Sequence, residues 1–161
     1  MKTKFAKNIM APLVVACASL TMVVATAAGQ GTQGGTLQGT WEMRITLTDC
    51  AGHVIRSFPS LIEYAAGGTV VESNAGTPQA LKTPGEGVWS HTTNNNYAFR
   101  FKFFTFDTQN IFTGWTIIAG TTTVNPTGDT NAGSATVKVY NTSGVLLVSL
   151  CASTAGTRFK L

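Results

Sequence analysis

From Thr40 to the end of the chain, apolar side chains recur at every second position rather than every third or fourth. In the first segment, about 40–49, Trp41, Met43, Ile45 and Leu47 fall on one face, and Glu42, Arg44, Thr46 and Thr48 on the other. This alternation predicts a strand with one buried and one solvated face. Strand-like segments follow at about 57–65, 69–74, 85–92, 97–106, 110–123 and 134–140. An eighth runs from Val145 toward Phe159, with a kink expected near Gly156. The fifth puts Tyr97, Phe99, Phe101 and Phe103 on one face but Phe104 and Phe106 on the other. That predicts a bulge near 103–104 or burial on both faces. The sixth holds Trp115, Ile117 and Ile118, with Gly114 and Gly120 as bend points. No segment has convincing helical periodicity.

The connections are mostly short and rich in turn formers. Ala66-Gly67-Gly68 reads as a tight hairpin, and Thr92 to Asn96 as a turn cluster, because Asn tolerates positive φ. Asn141-Thr142-Ser143-Gly144 reads as another hairpin. The stretches Asn74 to Pro84 and Asn125 to Gly133 read as the longer polar connections. Eight sequential strands so joined predict an all-β fold, a closed eight-stranded antiparallel up-and-down barrel. Closure removes the edges that a Val/Thr/Phe-rich sheet would offer for aggregation. A two-sheet β-sandwich is the alternative.

The first residues change the charge picture. Lys2, Lys4 and Lys7, the apolar run Ile9 to Val24 and Ala25-Thr26-Ala27 read as a signal peptide over 1–28. Val14-Val15-Ala16-Cys17 offers a lipoprotein signal as the alternative. Residues 29–38 read as a Gly/Gln/Thr-rich flexible leader, and 39–161 as a single barrel domain. Export to the periplasm or beyond is therefore expected, with no transmembrane segment in the mature protein. Three of the eleven Lys/Arg leave with the signal, so eight face seven acids. A nearly neutral domain has no basic stripe to neutralise phosphates, which argues against nucleic-acid binding. Cys50 and Cys151 remain as an even pair in an exported domain, and a disulfide is the expected state. It would close a loop of about 100 residues, worth ~4 to 5 kcal/mol in the chain-entropy model.

The chain resembles the calycins, the superfamily of lipocalins and fatty-acid-binding proteins. The resemblance rests on Gly39-Thr40-Trp41 opening the first strand and on Arg158 in the last. It implies that the Arg158 guanidinium packs over the Trp41 ring and closes one end of the barrel. It further implies an exported, non-enzymatic protein that binds a small apolar ligand. The chain departs from the lipocalins in lacking a Thr-Asp-Tyr-like signature over 125–131. It leaves no room between Cys50 and Phe58 for the helical pair of the fatty-acid-binding proteins.

Face parity nominates Met43, Ile45, Tyr64, Trp89, Phe99, Phe101 and Trp115 as residues lining a ligand site. Eight-stranded barrels are just wide enough either to fill with side chains or to hold one small ligand. A filled barrel points instead to a protein-binding or inhibitor module of the cell envelope, acting through loop 74–84 and the Asn94-Asn95-Asn96 turn. A third reading is an isomerase or cyclase acting inside the barrel. It needs an inward carboxylate, Glu63 or Glu72; either of these could also be a polar anchor inside the barrel, with Tyr64 or Arg100 as its partner. No nucleophile elbow or phosphate loop occurs, and His53 and His91 lack metal-ligand spacing. No catalytic residue, metal or cofactor is therefore implied.

Overall fold

A computed structural model of the chain describes residues 36–161. The proposed signal peptide, Cys17 and most of the leader lie outside the described residues. The eight strands are β1 (Gly39–Thr48), β2 (Val54–Tyr64), β3 (Thr69–Asn74), β4 (Gly85–Thr93), β5 (Asn96–Phe106), β6 (Phe112–Val124), β7 (Thr130–Asn141) and β8 (Leu146–Arg158). They form one closed antiparallel barrel in sequence order, the up-and-down architecture. Closure runs from Trp41 opposite Arg158 to Thr48 opposite Cys151. A single turn of 3-10 helix, Gln79–Leu81, lies between β3 and β4.

Two strands begin earlier than turn composition suggests. Val54 to Arg56 extend β2 alongside Leu47 and Thr48. Thr130 to Gly133 extend β7 alongside β8, and Asn131 to Gly133 also alongside β6, although they look like a turn. There Asn131 is buried, and its Oδ1 accepts from the Thr122 hydroxyl at 3.2 Å. Cross-strand pairing outweighs local turn preference at these residues. No bulge interrupts Phe103 and Phe104. The β5–β6 pairing is continuous there and shifts only between Thr105 and Phe106. The shift falls beside Gly114, whose φ is 140°. A Cβ at Gly114 would lie 2.0 Å from the Tyr140 carbonyl oxygen, so only glycine fits there.

The hairpin connections alternate between the two ends of the barrel. One end, the capped end, holds the segment 36–38 that leads into β1, the β2–β3, β4–β5 and β6–β7 turns and the end of β8. The other, the mouth end, holds the β1–β2, β3–β4, β5–β6 and β7–β8 connections. The capped half is filled. Trp41, Tyr64, Val70 and Val124 are fully buried there, with Ile62, Met43 and Tyr97 packed against them. Fully burying a side chain of this size contributes about 1.5–3 kcal/mol, so this cluster anchors the fold.

Leu37 belongs to this core, with no exposed surface, although composition assigns it to the leader. Its carbonyl accepts the Trp41 indole N–H at 2.8 Å. The Arg158 guanidinium lies 4.2 Å from the Trp41 ring centroid. It donates to the carbonyls of Gly128 and Gln38, each at 2.6 Å, and to that of Thr36. At the mouth end, Cys50 and Cys151 form a disulfide with Cα atoms 4.9 Å apart. It reinforces the β1–β8 closure from outside, since the neighbouring Leu150 and Ala152 take the inward positions.

The interior is mostly apolar, with Glu72, Lys82, Thr122 and Asn131 buried among the apolar side chains, while β1 presents Glu42 and Arg44 to water. No helix among the described residues is long and apolar enough to cross a membrane.

Candidate functional site

The mouth half of the barrel is hollow. A cavity of about 210 Å³ is bounded by Ile45, Leu47, Phe58, Phe99, Phe101, Phe103, Ile118, Val137, Val139 and Leu150. Alternation along the strands delivers these side chains inward from β1, β2, β5, β6, β7 and β8. Glu72, Asn74, Thr116 and Thr154 supply the polar points in the wall, with Arg56 and Thr105 toward the mouth. Phe99 and Phe101 stack with centroids 6.1 Å apart. They form an aromatic floor beside the packed half.

Three of the seven residues nominated from the sequence, Ile45, Phe99 and Phe101, line this cavity. Met43, Tyr64 and Trp89 point inward but belong to the packed half. Tyr64 meets Trp89 and Phe99 edge-on at 5.9 and 6.4 Å, and the Trp89 indole N–H donates to the Ala65 carbonyl at 2.9 Å. Burial pushes the Tyr64 hydroxyl well above its ordinary pKa. Trp115 lies on the outer face of the barrel. The inward positions of β6 are Thr116 and Ile118, and Trp115 stacks outside on Tyr140 at 5.8 Å. Apolar residues on both faces of this strand conceal its parity, and the largest side chain is not the inward one.

The two carboxylates of interest separate. Glu63 is exposed on the outer face. Glu72 points inward and is buried. Its carboxylate accepts from the Ser60 hydroxyl at 3.0 Å and from the Asn74 amide, and pairs with the Lys82 ammonium at 3.2 Å. Its partners are therefore neither Tyr64 nor Arg100. Lys82 comes from the β3–β4 connection, its side chain fully buried, and its ammonium also lies 4.7 Å from the Phe103 ring centroid. This connection repairs the wall. β3 is only six residues long and pairs with β4 over four, so the strands part toward the mouth. The segment 75–84 fills the gap. The Gly76 carbonyl accepts from Arg56, and a Cβ at Gly76 would lie 2.8 Å from the Phe58 ring. Sequence alone hides Lys82 because a lysine in a polar loop reads as solvated.

One buried polar group beside the cavity is unmatched. Among the described residues, Thr154 Oγ1 is buried with no hydrogen-bond partner. A buried hydroxyl left so costs about 1–3 kcal/mol. Thr154 sits in the cavity wall, opposite Ile45 on β1.

No family model matches the chain, and no curated protein matches it.

The remaining candidates do not converge. Loop 74–84 lies at the mouth, whereas the Asn94–Asn96 turn lies at the capped end, so they form no common surface. His53 bonds Asp49 at 2.7 Å in the β1–β2 turn. That bond, aided by the backbone N–H groups of Ala51 and His53, holds the Asp49 carboxyl below its ordinary pKa. His91 sits at the other end, its ring edge-on to Tyr97. No group of three metal-ligating side chains occurs among the described residues.

Proposed function

We propose that this protein binds one small, mostly apolar ligand in the mouth half of the barrel, as an exported lipocalin-like binding protein of the periplasm or cell exterior. The observation that carries this reading is the apolar cavity, whose wall also carries a few hydroxyl-bearing residues such as Thr154 and Thr116. A ligand with an apolar body and one hydrogen-bonding group suits such a wall. The stacking of Arg158 on Trp41 supports the calycin resemblance, and with it the binding role.

Volume sets the ligand class. A cavity of about 150 Å³ accepts benzene, and drug-sized sites begin near 300 Å³. The space here, about 210 Å³, suits one substituted ring or a short chain. A long-chain fatty acid is too large. A ligand of this size binds with a Kd of about 10 μM to 1 mM.

Glu72 supports the carrier reading over an enzyme inside the barrel. Its carboxylate already holds three side-chain partners, one of them a cation, and reads as an anchor of the wall.

Calorimetric titration with p-cresol and with toluene, which lacks the hydroxyl, tests this. The expected result is saturable binding of both at one site, with p-cresol the tighter. Thr154→Val should remove that preference, weakening p-cresol about tenfold and leaving toluene unchanged. Absence of saturable binding for either compound would overturn the proposal.

A further inference from the structure

We infer that the mouth end of the barrel docks on a membrane surface containing anionic lipid. The outer face of β5 to β8 is layered from the mouth inward. At the rim, Ile111 and Leu147 are each 61% exposed, and Leu146 lies beside them. Next comes a row of aromatic rings across three strands, since Phe104 pairs with Trp115 and Trp115 with Tyr140. Behind it lies a row that carries cations, because Lys102 pairs with Ile117 and Ile117 with Lys138. The Lys102 ammonium leans over the aromatic row, 4.4 Å from the Trp115 ring centroid.

This order matches the chemistry of a lipid interface. Exposed aliphatic side chains enter the acyl boundary, aromatic rings settle among the headgroups, and cations meet phosphate. Same-face residues two apart on a strand are about 7 Å apart, or about 5 Å along the axis of a tilted barrel. Three such tiers span the depth to which interfacial elements sink, about 5–10 Å, plus the headgroup layer.

Charge commits the surface to an anionic partner. β5, β6, β7 and β8 contain no Asp or Glu, and their outward cations are Arg100, Lys102 and Lys138. Glu86 on β4, opposite Lys102, and Asp107 in the β5–β6 turn, which accepts from the Ile111 N–H, offset part of that charge. A second copy of the chain docked through the same face would bring its cation rows toward each other. A phosphate-rich membrane instead complements them. The inference is independent of any ligand, although a docked mouth would open the cavity toward the bilayer.

The test is flotation of the mature, disulfide-bonded protein with phosphatidylcholine vesicles, with and without phosphatidylglycerol. Trp115 emission and ultracentrifugation of the free protein are read alongside. The expected result is a lipid-free monomer that binds phosphatidylglycerol vesicles at least about tenfold more tightly than neutral ones. Trp115 emission should shift to the blue on binding, and Trp115→Phe should abolish that shift. The pair Lys102→Gln and Lys138→Gln should weaken binding by about 25-fold, at about fivefold per cation. Leu147→Ser should weaken it without altering the thermal transition, because the side chain is exposed. Equal binding to both vesicle types, or no binding to either, would overturn the inference. So would a dimer in free solution that Leu147→Ser dissociates.

Discussion

Arg158 and Trp41, from opposite ends of the domain, meet face to ring at 4.2 Å and pair directly across the β1–β8 seam. The guanidinium also draws in the carbonyls of Thr36, Gln38 and Gly128, so one side chain ties the segment before β1, the β6–β7 turn and the last strand together. Arg158→Ala should lower stability by about 2–4 kcal/mol, the sum expected for a cation–π contact and several charge-assisted hydrogen bonds. Arg158→Lys should recover little, because a point charge cannot fork to three carbonyls. Urea unfolding followed by Trp fluorescence measures both.

The disulfide pins the far end of the same seam, joining residues 101 apart in sequence. A closed loop of that length restricts the unfolded chain strongly. Replacing Cys50 and Cys151 with Ser should lower the unfolding free energy by about 3–5 kcal/mol while the circular dichroism spectrum keeps its β character. An unchanged denaturation midpoint would show that strand pairing alone closes the barrel.

Glu72 and Lys82 form a pair with almost no exposed side-chain surface. Removing one member leaves a buried charge, so Lys82→Met or Glu72→Gln alone should cost about 3–5 kcal/mol. The double substitution should be much less damaging than the sum, since it removes both charges. A double-mutant cycle reads the coupling directly. Additive losses would mean that the two charges are solvated independently.

Tyr64 makes the fold sensitive to alkali. Burial raises its hydroxyl pKa in the folded state above the ordinary value of 10.0. Below about pH 10 both states hold the proton and stability is unaffected. Above it the unfolded chain ionises first and binds fewer protons, so stability falls by up to about 1.4 kcal/mol per pH unit. Tyr64→Phe should flatten this part of the alkaline limb in a pH series of chemical unfolding. An identical slope in the variant would place the loss elsewhere.

The barrel is legible in the sequence because its signal is repeated. Alternation in β1 and turn formers between segments both follow from the pleat, and eight such segments with paired cysteines leave few architectures. The site is less legible for reasons that differ by residue. Trp115 lies in a strand that is apolar on both faces, where only the cross-strand partners settle which way a ring points. Thr154 and Thr116 are ordinary strand residues until the interior around them proves hollow. Lys82 becomes a wall residue only because β3 stops after six residues and a loop must fill the gap. Leu37 sits in a Gly-rich stretch whose composition hides its contact with Trp41.

The central claim is that a small ligand occupies the interior of the mouth half. The most direct measurement is a methyl NMR titration of the Ile-, Leu- and Val-labelled protein with p-cresol. The expected result is saturable shifts at the cavity methyls of Ile45, Ile118, Val137 and Leu150. The outward methyls of Leu61, Val71 and Ile117 should stay in place. Shifts confined to the outward methyls, or no saturable shift at any of them, would contradict an interior site.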